Sequence, residues 1–265
     1  MLAIFKSKPL LEDAQAQQLI VLFGWAVEHF DVDFFLRYTR IVEPTVQDFP
    51  DQVRSVEQMA QTVFDRVREY AGMQHWPISL LPPQQMPMQQ TFPRFTLTGG
   101  LRGDSVSVAE EPALPVALSY NPSQINQPQD MVASLAGSLA MILIHQVGKL
   151  PPGGQEHLPV AADVLAVFMG FGVMLSNSAY HFRGGCGSCY NAYANRQAAL
   201  SEAETVFVHA LVCYFKPQYQ GAKHLKPHLK SLYKKAQKQL RGIIKSSPDP
   251  VLLALEERSR VTLPG

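Results

Sequence analysis

Apolar residues recur at three- and four-residue spacing through residues 12–35, where Leu19, Leu22, Phe23, Ala26, Val27 and Phe30 mark one face. This period predicts a helix, although Gly24 weakens it by about 1 kcal/mol relative to alanine. A second helix is predicted over residues 55–70: Ser55-Val56-Glu57-Gln58 has the form of a capping box, Val56, Met59, Val63, Phe64 and Val67 supply the stripe, and Gly72 ends it. Glu43-Pro44 and Phe49-Pro50-Asp51 make the link between them extended, since a residue before proline avoids the α region. From residue 77 to 121 the period changes. Short β-like runs at 78–81, 95–98, 105–108 and 115–119 are separated by prolines, Gly99-Gly100 and Gly103-Asp104, as expected for strands joined by turns. The Gln/Met/Pro-rich stretch 82–93 reads as a surface loop. Helical spacing returns at 129–147, 159–176, 201–215, 220–244 and 248–257, with Ser201-Glu202-Ala203-Glu204 as another capping box.

The pattern predicts an α+β fold, predominantly helical, with a small strand-rich section and a basic C-terminal helix. Residues 1–76 form an N-terminal helical section and 77–265 the remainder, in one compact unit. At 265 residues and 46% hydrophobic content the chain has ample core material, which excludes disorder as its main state. Three cysteines, no signal-like N-terminal segment, and apolar stretches at 131–144 and 160–175 that fall short of the ~20 residues a bilayer requires predict a cytoplasmic protein without a membrane span.

The net charge of +1 conceals a strong asymmetry. Residues 1–204 carry 12 Lys/Arg against 19 Asp/Glu, whereas residues 205–248 carry 9 against none. Lys223, Lys226, Lys230 and Lys234 are predicted to share one helix face, which could bind nucleic-acid phosphates or an anionic surface. The plainer reading is a solvated outer face that offsets the acidic remainder of the chain.

Residues 121–177 carry an ordered set of features. A short strand at 116–119 leads to Asn121-Pro122-Ser123, then to the alanine-rich helix around Ala133, Ala136, Gly137 and Ala140. Glu156-His157-Leu158-Pro159, Asp163 and Ser176-Asn177 follow. This order resembles a family of uncharacterised bacterial zincin-like proteins, whose members carry an Ala-His-Glu-Leu-Gly-His segment on the first of these helices. The resemblance also takes in Phe49-Pro50-Asp51 and Leu200-Ser201-Glu202. It implies a zincin-like core. In zincins two histidines one helical turn apart hold zinc, and the glutamate between them polarises the metal-bound water. In the matching register this chain has Gly137 and Met141 at the histidine positions and Ser138 at the glutamate position, so all three groups are missing. The resemblance therefore implies the scaffold without the catalysis: a pseudoenzyme that works as a binding or regulatory module, with a protein partner and no resident cofactor.

Other candidate chemistry is sparser. Gly137, Ser138 and Met141 sit on a helix apolar nearly all round, which reads as a buried central helix whose small residues permit close helix contact. The alternative to a pseudoenzyme is a metal-dependent hydrolase with relocated ligands, His145, His157 or Glu156, and Asp163, whose donors suit zinc, although His145 falls at a helix end where histidines commonly meet solvent. Cys186-Gly187-Ser188-Cys189 could form a reversible disulfide or, with His181, a metal half-site. A glycine-rich loop with two ordinary thiols is the simpler account. Cys213 lies in an apolar stripe and reads as a buried, inert thiol.

Overall fold

The computed structural model describes residues 8–51, 55–88, 92–110, 112–179, 195–246 and 249–262. It is 58% helical and 7% strand, so the fold is predominantly helical α+β, as the period of the apolar positions predicts. Nine α-helices are described: α1 (Asp13–His29), α2 (Val32–Arg37), α3 (Val56–Ala71), α4 (Pro128–Val147), α5 (Leu158–Ala166), α6 (Gly172–Ser178), α7 (Glu202–Tyr214), α8 (Pro227–Ser246) and α9 (Pro250–Thr262). Four short strands lie between α3 and α4. β1 (Ile78–Leu81) pairs in parallel with β4 (Val116–Ser119), Ile78 opposite Val116. β2 (Thr96–Thr98) pairs antiparallel with β3 (Ser107–Glu110), with a register shift between Thr96 and Leu97.

The predicted first helix is two. The chain turns at Asp31, which adopts a left-handed conformation (φ 49°), a state that aspartate tolerates better than most residues. The cause lies seventy residues away. The Asp31 Oδ2 accepts the backbone N–H groups of Leu101 and Arg102 at 2.6 and 2.7 Å, and the Arg102 guanidinium donates back to the Phe30 carbonyl at 3.0 Å. The corner between α1 and α2 is thereby clamped to the loop that precedes β3.

α3 begins with the Ser55 side chain accepting the N–H of Gln58, and it ends at Gly72 in the left-handed conformation. Glycine is required there, because a Cβ would meet the Phe34 ring at 2.5 Å. α7 has the complete capping box: Ser201 Oγ accepts from Glu204 N while Glu204 Oε2 accepts from Ser201 N.

α4 packs against α3, α5 and α6, while α7 packs against α6 and α8. Phe23, Phe35, Phe168 and Phe215 fill the space between the helical layers, with Phe35 and Phe168 stacked at 4.3 Å. α4 is 20 residues long, and a nearly continuous helical run of 24 residues covers 155–178. Both exceed the apolar lengths read from the sequence, and both are long and apolar enough to cross a membrane by those criteria. In this fold 61% and 83% of their most apolar windows are buried within the protein, which is the environment of core helices.

Two cations sit in the core beside these aromatics. Arg102 is 3% exposed and lies over the Phe34 and Phe168 rings, and burial pushes its guanidinium down to about 10. Lys216 is 1% exposed, donates to the Leu36 carbonyl at 2.9 Å and lies over the Phe35 ring. Burial, and secondarily the positive charge of Arg102, push its ammonium down to about 8. Both satisfy carbonyls at the ends of α1 and α2, where the helix dipole favours positive charge.

The predicted helix at 220–244 begins later, at Pro227. Proline is well placed in a first helical turn, and it keeps Lys226 out of the helix. The turns before it are pinned by Asn177, whose Oδ1 accepts the Lys226 N–H while its Nδ2 donates to the His224 carbonyl. Lys223 and Lys226 therefore do not share a helix face with Lys230 and Lys234, contrary to the sequence expectation.

Candidate functional site

The strand-to-helix passage from β4 into α4 brings Ser138 of the motif register to a solvent-accessible cleft. β4 ends at Ser119, and a turn follows in which the Asn121 side chain accepts the N–H of Ser123. Gln124 is 3% exposed, and its Nε2 donates to Ser134 Oγ on α4 at 3.0 Å, fixing the helix against the turn.

From Met131 to Ile144 every residue of α4 is buried except Ser134, Gly137, Ser138 and Met141. These four recur at i, i+3, i+4 and i+7, so they form a single stripe. The positions where the resemblance would place two metal ligands and the glutamate thus lie on the partly exposed stripe of an otherwise buried helix. This corrects the expectation of a site absorbed into the core. Ala133, Ala136 and Ala140 are fully buried as close-contact residues, but Gly137 is not one of them: a Cβ added to it would meet nothing within 4 Å.

Of these four stripe residues, Met141 packs against the core, whereas Ser134 and Ser138 line a cleft of about 280 Å³. Ser119, Tyr120 and Asn121 bound one side, Ser134 and Ser138 the floor, and Asn195, Arg196 and Gln197 the other side. Its polar groups are incompletely satisfied. The Gln124 Oε1, Asn195 Nδ2 and Arg196 Nη2 atoms are buried and have no hydrogen-bond partner among the described residues. A buried polar atom left unpaired costs about 1–3 kcal/mol, and three such atoms belong to residues that line this one cleft.

Arg196 is held rigidly. Its Nη1 donates to Asp163 Oδ1 at 2.6 Å, its Nε to Ser178 Oγ at 3.4 Å, and its backbone N–H to Asp130 Oδ1 at 2.9 Å. Asp163 in turn accepts the N–H groups of Ala199 and Leu200 at its other oxygen, at 2.9 and 3.1 Å. The carboxylate considered as a metal ligand is therefore fully engaged as the anchor of an arginine and a chain segment.

The other candidate ligands do not join it. His145 is exposed and stacks on Phe92, ring centroids 5.0 Å apart, at the end of α4. His157 lies against Gly153, whose positive φ lets the chain pass the imidazole. Among the described residues no three His, Cys, Asp or Glu side chains converge as a metal site requires. Cys186, Cys189 and His181 lie outside the described residues.

Cys213 is buried, as expected, but it has a partner that sequence reading missed. His209, one turn earlier on α7, places its ring nitrogens 3.7 and 3.8 Å from the sulfur, and its Nε2 lies 2.9 Å from the Gly221 carbonyl. Burial alone would push the Cys213 thiol up, but the charge and hydrogen bond of His209 carry it below its ordinary value. Burial likewise opposes protonation of His209, and the Cys213 charge overrides it, raising the imidazole. The i, i+4 spacing of His209 and Cys213 was a legible signal for this contact.

Comparison of the chain with protein-family models, with curated proteins and with solved structures finds no match in any of the three.

Proposed function

We propose that this protein is a non-catalytic, zincin-like binding module whose ligand site is the cleft over α4. The observation that supports this reading is the cleft that Ser134 and Ser138 of α4 line together with Asn195 and Arg196. Where a zincin would present imidazoles and a carboxylate, this chain presents a bare Cα, a hydroxyl and a thioether. That set cannot hold tetrahedral zinc or activate a water. The cleft has nevertheless stayed open and polar, which fits a surface kept for recognition.

The chemistry of the lining points to a small, uncharged, polar ligand. The charge of Arg196 is already matched by Asp163, so the site does not call for an anion. What remains is two donors, Asn195 Nδ2 and Arg196 Nη2, one acceptor, Gln124 Oε1, and serine hydroxyls, a set complementary to hydroxyl or carboxamide groups.

Thermal denaturation in the presence of neutral monosaccharides and primary carboxamides tests the reading. A ligand at about 100 times its Kd stabilises the folded state by roughly 2.7 kcal/mol. We expect at least one of these compounds to raise the melting temperature of the parent protein and to leave Ser138→Trp unaffected, because the indole fills the cleft from its floor. A panel without effect on the parent, or an equal shift in both proteins, would overturn the proposal.

A further inference from the structure

α8 carries six Lys/Arg and no acidic residues in 20 positions. Its apolar side faces the protein: Leu229, Tyr233, Ala236 and Leu240 are buried, and Leu232 and Ile243 pack half-buried against the core. The opposite side is a row. Lys230, Lys234, Lys238, Arg241 and Lys245 follow one another at four-, four-, three- and four-residue steps, all exposed, so that one cation projects per helical turn over about 22 Å.

Among the described residues, none of Lys230, Lys234, Arg241 or Lys245 takes part in an ion pair. Like charges one turn apart repel, and α8 offers no intervening carboxylate to relieve them. Elsewhere the chain carries an excess of acid, with 12 Lys/Arg against 19 Asp/Glu in residues 1–204. Such a distribution orients the molecule so that a polyanion meets α8 first.

We propose that the exposed row of α8 is a docking surface for the phosphate backbone of a nucleic acid. A polyanion with charges at regular intervals complements a straight, regularly spaced row of cations, and no other chemistry on the helix competes with that match. An anionic bilayer fits less well. Amphipathic helices that lie in a membrane bury an apolar face in the lipid, and the apolar face of α8 is already occupied. The row contains no aromatic side chain and no base-reading motif, so recognition is of the backbone and independent of sequence. This inference does not depend on the α4 cleft.

Fluorescence anisotropy of the full chain with a labelled DNA duplex of about 20 base pairs, at about 50 mM salt and above, provides the test. With four unpaired cations engaged, log K should fall against log[salt] with a slope of about −3 to −4, equally for two unrelated duplex sequences. In Lys230→Glu/Lys234→Glu/Arg241→Glu/Lys245→Glu, whose altered side chains are all exposed, affinity should drop by at least about 100-fold while the melting temperature is unchanged. Absence of duplex binding at the lowest salt, binding undiminished in the variant, or binding to phosphatidylserine vesicles without binding to DNA would each overturn the proposal.

Discussion

Asp163→Ala is expected to destabilise the protein by about 3–5 kcal/mol, measured by urea denaturation. The substitution leaves the Arg196 guanidinium, 8% exposed, without its counter-charge. It also strips the N–H groups of Ala199 and Leu200 of their acceptor. Breaking a buried ion pair from one side costs more than removing both charges, because the surviving ion stays desolvated. The double variant Asp163→Ala/Arg196→Met should therefore recover part of the loss. A single variant within about 1 kcal/mol of the parent would show that Asp163 is not the anchor described, and would reopen its availability to a ligand.

Gly170→Ala should cost about 3 kcal/mol or more by the same measurement. Gly170 sits in the wide π-turn (Val167–Phe171) that joins α5 to α6, at φ 105°, a conformation that side-chain-bearing residues rarely adopt. Its carbonyl accepts the N–H of Val42 at 3.0 Å, and an added Cβ would collide with the Arg40 carbonyl. Strain and collision add, since the neighbour is backbone and cannot swing away. Gly137→Ala provides the contrast. It stands in a regular helix with open space at the Cβ position and should stabilise the protein by about 0.5–1 kcal/mol. Opposite signs at the two glycines would confirm that Gly170 serves a backbone crossing and that Gly137 has open space at its Cβ position.

The elements that depend on local pattern were legible. All four strands fall within or beside the short β-like runs, because alternation and Gly/Pro punctuation are properties of the segment itself. The caps at Ser55 and Ser201 were equally readable, although only Ser201 forms the reciprocal box. What failed depended on distant partners. The break at Asp31 is imposed by the N–H groups of Leu101 and Arg102, which no window around residue 31 contains. The late start of α8 was signalled by Pro227, but buried Leu225 extended the apolar period and masked it.

The site was half legible. The register of Gly137, Ser138 and Met141 could be placed on a helix from sequence. Its openness could not, because a stripe of small residues reads the same whether it meets another helix or a cleft. Arg196 gave no signal at all: a single arginine in an irregular segment acquires meaning only when Asp163, 33 residues earlier in the chain, is found 2.6 Å from it.

The zinc content of the purified full chain, compared with that of His157→Ala, tests most directly the claim that the α4 cleft has been released from metal chemistry. The account predicts no stoichiometric zinc in either protein, since among the described residues His157, His145 and Asp163 do not converge on a metal. One zinc per chain in the parent, lost on removal of His157, would contradict it and restore a metal-dependent enzyme with relocated ligands.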